Sequence, residues 1–307
     1  MRSGCRHRPH HGDLHFGLRF HRYPARGGGC VKPPRQRIRT ILLYAITTLI
    51  TLVVLFPVIF GFFTSFKPNT EIFTYPPRLL PQQWTVQPYT SVLTQQRYLR
   101  YFLNGYLISI SSTLLCVFFG ALAGYGLSRF RLPYKPGLML AILALQMFPG
   151  AVLIIPYFNL SRALGIYDTY IVLILVDTTF ALSLVTWLLK SYFDSIPVSL
   201  EEAALVDGCS RFRALVSIVA PLARAGFIGT GVFAFIRAWN EFMFALILTK
   251  GPERAPVTVG LAELFGQYTI QWNGVMALTV IATFPLLITF IFVQRYVIEG
   301  ITSGAAN

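Results

Sequence analysis

The chain has 307 residues, of which 54% are hydrophobic and 12% are charged, whereas about 25% of residues are charged in an ordinary soluble domain. This composition argues against a soluble fold and favours a protein whose solvent is lipid. The net charge of +14 does not indicate nucleic-acid binding, because the basic residues stand mainly at the ends of apolar runs, where they act as membrane topology signals.

The N-terminal segment, residues 1–38, differs from the rest of the chain. All five histidines and six arginines lie within its first 26 residues, and a segment of low hydrophobicity and high charge does not pack. We predict that it is disordered or a spurious extension, with translation starting at Val31; a His-rich metal-binding tail is the alternative. The four cysteines are too scattered to predict a metal site; they are Cys5, Cys30, Cys116 and Cys209.

Six later runs are long and apolar enough to cross a bilayer core of about 30 Å as helices. They are Ile41–Phe63, Phe102–Leu127, Leu138–Phe158, Tyr170–Leu189, Gly226–Leu248 and Val275–Val293. We therefore predict an all-α integral membrane protein with six transmembrane helices. The first helix and an external loop occupy residues 39–101, the other five helices form the membrane core at 102–298, and residues 299–307 form a cytoplasmic tail.

The lysines and arginines that flank these runs predict the orientation of the chain. With the N-terminus inside, twelve of them lie on the inner side and seven on the outer side. The tight turn at 129–135 is the strongest signal, because short loops follow the rule best. We predict a multi-pass protein of the inner (cytoplasmic) membrane with both termini in the cytoplasm.

The internal loop between the fourth and fifth helices, residues 190–225, contains the most specific pattern. We predict a short helix with Ser199 and Glu202 as a capping box and Gly208 as the C-terminal stop. Such a helix is too short to be stable alone in water, so a partner must pack against it. A second amphipathic stretch, Ser210–Val219, would end at Pro221. A pair of helices lying on the bilayer surface is the alternative.

The same loop resembles a known motif. Glu202-Ala203-Ala204, then Gly208, Ile218 and Pro221 match the EAA motif of ABC importer permeases, although Ala220 stands where that family usually has leucine. The resemblance extends from about Arg39 to the C-terminus and is strongest to the carbohydrate-uptake branch, similar to the smaller membrane subunit of maltose-type systems. The segments that support it are Met147–Phe158, Leu164–Thr169, Ala238–Phe242 and Gly300–Ala305.

This resemblance implies a subunit of an ATP-driven, binding-protein-dependent sugar importer that works by alternating access. It implies as partners a homologous second permease, two cytoplasmic ATPase subunits and an extracytoplasmic sugar-binding protein. The chain lacks a phosphate-binding loop, so ATP and magnesium would be used by the separate ATPase, and no catalytic residue or bound cofactor is predicted here. The residues implied in coupling to the ATPase are Glu201, Glu202, Ala203, Ala204, Leu205, Asp207, Gly208 and Pro221.

Three ionisable residues fall within predicted spans, where charge is costly and is a functional candidate. Arg237 and Glu241 are four residues apart, so we predict an intramembrane ion pair, which serves either the substrate path or helix packing. Asp177 has no local basic partner, and its role is left open. Side chains that could stack on a sugar or bind its hydroxyl groups are Gln146, Trp239, Asn240, Glu241 and Phe244, although aromatic residues near span ends also serve as interface anchors.

Three other functions are considered. The solute of an importer could be a non-sugar such as a glycerol phosphoester. A secondary transporter predicts an internal repeat, which the sequence lacks. A membrane enzyme such as a lipid-linked glycosyltransferase needs an acidic or histidine cluster near an interface, and Glu201, Glu202 and Asp207 are better explained by the short helix.

Overall fold

The computed structural model describes residues 34–266 and 270–304, and the side chains of residues 40–266, 270–291, 293 and 294. The predictions for residues 1–33 lie outside the described residues, as do residues 305–307 of the predicted tail. The regular structure in the described ranges is helical, apart from one isolated bridge between Phe265 and Ile270.

Fourteen α-helices follow one another in the described residues. They are α1 (Pro34–Thr64), α2 (Asn69–Ile72), α3 (Gln87–Thr94), α4 (Gln96–Arg129), α5 (Lys135–Ala144), α6 (Ile154–Ala163), α7 (Tyr170–Asp194), α8 (Val198–Val206), α9 (Arg211–Ala214), α10 (Ala220–Leu222), α11 (Arg224–Trp239), α12 (Met243–Leu248), α13 (Val257–Glu263) and α14 (Trp272–Gly304). Short 3-10 helices occupy Leu145–Met147 and Gly150–Leu153, and a π-helix occupies Leu215–Val219.

Four helical segments are long and apolar enough to cross a membrane: Thr40–Thr64, Gln96–Arg129, Tyr170–Asp194 and Trp272–Ile291. Two bent pairs of helices are also apolar enough, and each corresponds to one broken span or to a re-entrant loop. Lys135–Met147 and Gly150–Ala163 meet at 87°, and Arg211–Leu222 and Arg224–Trp239 meet at 84°. The described residues therefore provide four continuous spans, or six if each bent pair counts as one.

The third and fifth predicted spans are not single helices, so these two predictions were wrong in detail. The third is interrupted at Phe148 and Pro149, whose backbones are extended, as expected for proline and the residue before it. The fifth was predicted over Gly226–Leu248, but α11 ends at Trp239 and helix resumes only at Met243.

The described residues fall into two compact units, one up to Val54 and one from Leu55 onward. In the described part of the first unit, the hydroxyl groups of Thr47 and Thr51 donate to the carbonyls of Leu43 and Thr47, each at 2.8 Å. These bonds satisfy the hydroxyl groups inside an apolar helix, where water is not available.

The second unit is organised around α4 and α7. A Cβ at Gly124 on α4 would lie 3.0 Å from the backbone nitrogen of Lys190 and 3.1 Å from the carbonyl oxygen of Thr186 on α7. A Cβ at Gly120 would lie 2.8 Å from Val185. Small residues thus allow the two backbones to approach closely, which is a common basis of helix association in membranes.

Two clusters of buried apolar side chains lie in this unit. One contains Tyr125, Val185, Leu189, Phe193, Leu215 and Val219, beside the loop that carries α8. The other contains Tyr101, Ile108, Val172, Trp239, Leu248 and Val257. We call residues 190–225 the coupling loop, after its predicted role. The region of the first cluster is the coupling-loop end of the unit, and the region of the second cluster is the opposite end.

Polar contacts fix the loops at the opposite end. The amide of Asn104 donates to the carbonyl oxygens of Glu253 and Ala255 at 3.1 and 2.9 Å. Asp168 accepts the backbone N–H of Lys250 at 3.0 Å and the guanidinium of Arg254 at 3.1 Å. These bonds hold the segment between α12 and α13 against α4 and the start of α7.

Candidate functional site

The coupling loop leaves the end of α7 and enters α8 through a short connection. The N-cap of α8 is Pro197, and no side chain caps the helix. The predicted capping box of Ser199 and Glu202 was therefore wrong. The proline, whose ring fixes φ, adopts an extended conformation with φ −56°, and the helix begins at Val198, so Ser199 already lies inside its first turn.

The C-terminus of α8 has the predicted glycine stop. Gly208 has φ +86°, a left-handed conformation that favours glycine. Its N–H donates to the carbonyl of Leu205 at 3.1 Å, and the N–H of Cys209 donates to the carbonyl of Ala204 at 2.9 Å. This pair of bonds is a Schellman motif, and it confirms the expectation that Gly208 ends the helix.

One face of α8 is buried against the rest of the unit. Glu201 is 3% exposed, and its carboxylate accepts the Nε of Arg129 at 2.8 Å and the hydroxyl of Tyr125. Arg129 also donates to the carbonyl of Ile196 at 3.1 Å. Sequence reasoning missed Arg129 and Tyr125, because Arg129 was interpreted only as a topology signal and its partner lies 72 residues away along the chain.

The other face of α8 is open. Glu202, Ala203, Val206, Asp207 and Gly208 are exposed, and Val206 is 87% exposed. Among the predicted coupling residues, Glu201 and Ala204 are instead buried and Leu205 is partly buried. The predicted set therefore divides between an inner face that attaches α8 and an outer face that is free to meet a partner.

The second part of the loop is helical beyond the predicted end. Ser210 caps α9 by accepting the N–H of Arg213 at 3.3 Å, and helix continues through the π-helix to Leu222. Pro221 lies within α10, and the helix ends one residue after it, at Leu222. The chain turns at Ala223, where α11 begins at 84° to this segment.

The break between α11 and α12 is organised by Glu241. Its carboxylate oxygens accept the backbone N–H groups of Phe244 and Ala245, each at 2.9 Å, while its carbonyl accepts the hydroxyl of Thr258 at 2.6 Å. Glu241 thus satisfies the free N–H groups at the start of α12. Glu241 therefore caps the start of α12 within a mainly apolar run.

The predicted ion pair between Arg237 and Glu241 is not formed in this structure. Five ion pairs occur among the described side chains, and none joins these two residues. The guanidinium carbon of Arg237 lies 5.1 Å from the centre of the Phe180 ring, which is cation–π geometry. The carboxylate instead accepts the backbone N–H groups of Phe244 and Ala245.

The helix break lines an open cavity of about 470 Å³, whose walls include Arg237, Asn240, Glu241, Met243 and Phe244. Three of the predicted substrate-path residues therefore lie together, namely Asn240, Glu241 and Phe244. The other two do not join them. Trp239 is 3% exposed and donates its Nε1–H to the carbonyl of Ala282 at 3.1 Å, and Gln146 lines a separate cavity of about 250 Å³.

Asp177 lies on α7 and is 6% exposed. It lines a narrow cavity together with Gly105 and Ala238, and Glu241 borders the same space. No hydrogen bond or ion pair to its carboxylate is found among the residues that the structure describes. The described part of the chain also contains no cluster of His, Cys, Asp and Glu that could hold a metal ion.

Comparison with known proteins decides the family. Residues 116–303 match the family described as "Binding-protein-dependent transport system inner membrane component". The chain belongs to this family of ABC transporter permeases. Over 275 residues it is 35% identical to the inner membrane ABC transporter permease protein YcjP of Escherichia coli K12, with 89% of this chain and 98% of that protein covered.

Other permeases of the family have similar sequences and the same fold. The chain is 34% identical to the trehalose/maltose transport system permease protein MalG of Thermococcus litoralis, with 87% and 97% coverage. A bacterial ABC transporter involved in alginate import has a chain that matches with a TM-score of 0.75 at 23% identity, covering 86% and 98%. That likeness shows the fold of this ABC permease.

Membership of the family confirms several predictions. The protein is an all-helical, multi-pass permease of the inner membrane, and it is a membrane component of a transport system rather than the ATPase. It works in a binding-protein-dependent system. In such a permease, the open face of α8 and the cavity at the α11–α12 break are the two candidate functional surfaces.

Proposed function

We propose that this permease forms half of the translocation pathway of an ATP-driven sugar importer that works by alternating access. A homologous permease supplies the other half, two cytoplasmic ATPase subunits hydrolyse ATP with magnesium, and an extracytoplasmic binding protein delivers the sugar. Both termini and the coupling-loop end face the cytoplasm, in accord with the excess of lysine and arginine on that side.

The observation that carries this proposal is the division of α8 into two faces. Its inner face is fixed by Glu201, while Glu202, Ala203, Val206 and Asp207 remain exposed. A helix of nine residues that keeps an apolar side chain such as Val206 in the open is suited to a groove in a partner. We assign that partner as the ATPase, because the chain is a permease without its own ATPase.

A sugar is the favoured solute. The names of similar permeases include trehalose/maltose, trehalose and diacetylchitobiose systems. The cavity at the helix break offers the amide of Asn240 and the ring of Phe244, which are groups that bind hydroxyls and stack on sugar faces. We assign this cavity, with Glu241 and Arg237 in its wall, to the substrate path.

The docking assignment is tested by Glu202→Lys in the complex purified with its ATPase. We expect normal membrane insertion, because the spans are untouched, and loss of the ATPase on co-purification. Glu253→Lys is the matched control, since its side chain is 76% exposed at the opposite end of the unit. Retention of the ATPase by the Glu202 variant, with normal stimulated hydrolysis, would refute docking through α8.

The solute class is tested separately, in vesicles that contain both permeases, the ATPase and the binding protein. ATP hydrolysis is measured with maltose, trehalose and diacetylchitobiose, and with glycerol 3-phosphate for comparison. We expect stimulation by a sugar. Stimulation by the phosphoester alone would overturn the assignment of the solute while leaving the docking surface intact.

A further inference from the structure

The connection between α7 and α8 is a potential hinge. It consists of Ser195, Ile196 and Pro197, which we call the hinge segment. Its two N–H groups bond back to α7, from Ser195 to Tyr192 and from Ile196 to Phe193, and the carbonyl of Pro197 accepts the N–H of Leu200 on α8 at 3.3 Å. A helix as short as α8 is not stable alone. The orientation of α8 relative to α7 must therefore be set by side-chain contacts.

Arg129, at the C-terminus of α4, contacts both this hinge segment and α8. Its Nη2 donates to the carbonyl of Ile196 within the segment at 3.1 Å, and its Nε donates to the carboxylate of Glu201 on α8 at 2.8 Å. One planar guanidinium thus joins three elements, which its rigid fork of donors allows and a lysine ammonium does not reproduce. The hydroxyl of Tyr125, one turn earlier on α4, binds the same carboxylate.

The ion pair between Arg129 and Glu201 is costly to separate because it is buried. The side chains of Arg129 and Glu201 are 5% and 4% exposed, so a movement that parts them leaves two charges in a poorly hydrated space. The other ion pairs of the second unit include at least one side chain that is 41% or more exposed. The Arg129–Glu201 pair is therefore the one fully buried ion pair among the described side chains.

Helices α4 and α7 are also bonded to each other near Arg129. The hydroxyl of Ser128 donates to Asp194 at the end of α7 at 2.6 Å. The backbones of α4 and α7 approach closely at Gly124. A force that reaches Arg129 therefore acts on both α4 and α7, not on a single loose helix end.

We propose that Arg129 is a positioning residue for ATP coupling, which clamps α8 to the α4–α7 pair so that they move as one body. Without the clamp, α8 would turn about the hinge segment and movement of the ATPase would not reach the spans. This inference rests on the proposed docking of α8 to the ATPase. It assigns to Arg129 a role in transmission, separate from the exposed docking face.

The test measures whether α8 moves with α4 in the assembled complex. Spin labels are placed at Ser199→Cys on α8, outside the docking face, and Ala123→Cys on α4, both exposed positions, after Cys5, Cys30 and Cys209 are changed to serine. The distance between the labels is measured by pulsed electron resonance, without nucleotide and with a non-hydrolysable ATP analogue. In the otherwise native permease we expect one narrow distance that is the same in both states.

The critical variant is the double substitution Arg129→Gln with Glu201→Gln, which removes the clamp without stranding a charge. We expect a broad distance distribution that changes when the ATP analogue binds, while the ATPase is retained because the outer face of α8 is unchanged. Arg131→Gln is the matched control, since this arginine is exposed two residues further along the chain and should leave the distance unchanged.

Two results would overturn the clamp. One is a narrow, unchanged distance in the double variant, which would show that α8 is held without Arg129. The other is loss of the ATPase equal to that of Glu202→Lys, which would show that the pair shapes the docking face. Failure of the docking proposal itself is seen separately, as retention of the ATPase by Glu202→Lys.

Discussion

The carboxylate of Glu241 accepts the backbone N–H of Phe244 at 2.9 Å, so an acidic side chain is held by the start of a helix. The N–H of Ala245 binds the second oxygen at the same distance, and the dipole of α12 favours a negative charge there. This arrangement explains how the permease tolerates Glu241 without a direct bond to Arg237.

Glu241→Ala should therefore destabilise the permease through loss of a helix cap. We expect a loss of about 0.5–2 kcal/mol, seen as a lower midpoint of thermal unfolding in detergent. Glu241→Gln should lose less, because its amide oxygen still accepts one N–H. Exchanging Arg237 and Glu241 should not restore stability, since arginine has no acceptor for the N–H groups.

The variant in which Arg237 and Glu241 are exchanged distinguishes a helix cap at Glu241 from a direct ion pair with Arg237. Recovery of the native unfolding midpoint in the exchanged protein would support a direct ion pair and contradict the cap. Arg237→Gln provides the control. It removes the cation over the Phe180 ring and leaves both N–H bonds of Glu241 in place.

The features that the sequence predicted well are those set by local chemistry. Span hydropathy follows from composition, and the stop at Gly208 follows from the freedom of glycine at positive φ. The break at Asn240–Phe242 was missed, because apolar residues continue on both sides and the run has the length of one span. The clamp was missed because pairing Arg129 with Glu201 requires knowledge of how α4 packs, which local patterns do not contain.

Two glycines on α11 provide a comparison of steric effects on one helix. A Cβ at Gly226 would lie 2.5 Å from the Cγ of Tyr192 on α7, whereas nothing lies within 4 Å of a Cβ at Gly229. Gly226→Ala should destabilise the permease by about 1–3 kcal/mol through overpacking. Gly229→Ala should be neutral, or stabilise by up to about 1 kcal/mol through helix propensity.

The measurement for this pair is again the midpoint of thermal unfolding, with the yield of folded protein as a second readout. Equal effects of the two substitutions would contradict the close approach of α11 and α7 at Gly226. Tyr192→Ala should rescue Gly226→Ala in part, because it removes the ring that the new methyl group meets.

At the C-terminus of α8, Gly208→Val should strain the left-handed backbone by about 1–2 kcal/mol. Because the strain lies next to the open face of α8, we expect weaker retention of the ATPase on co-purification with normal membrane insertion. Gly208→Asn is the matched control, since asparagine tolerates this conformation. If the two variants retain the ATPase equally, backbone conformation at Gly208 does not control docking.

The loop between α2 and α3 should loosen on acidification, and Glu71 provides the reason. Its carboxylate accepts the backbone N–H of Gln82 at 2.7 Å and of Gln83 at 3.3 Å. The bond from Gln82 is the main cause that lowers the pKa of Glu71 below its ordinary value of 4.5, and the positive charges of Lys67 and Arg78 act in the same direction. A lowered folded-state pKa means that this stabilisation is complete above pH 4.5 and is lost as the pH falls through the lower value.

Hydrogen exchange in residues 69–83 can test this relation, with Glu71→Gln compared with the native protein at each pH so that intrinsic exchange rates cancel. At pH 7 the native loop should exchange more slowly than the variant, because the neutral amide is a weaker acceptor than the carboxylate. The difference should shrink as the pH falls through the lowered pKa of Glu71, because protonation makes the native side chain neutral as well. Equal exchange at pH 7, or a difference that is unchanged at the lower pH, would show that the Glu71 carboxylate does not hold the loop. Glu253→Gln is the control. This glutamate is exposed and lies outside the loop, so its substitution should leave exchange in residues 69–83 unaltered.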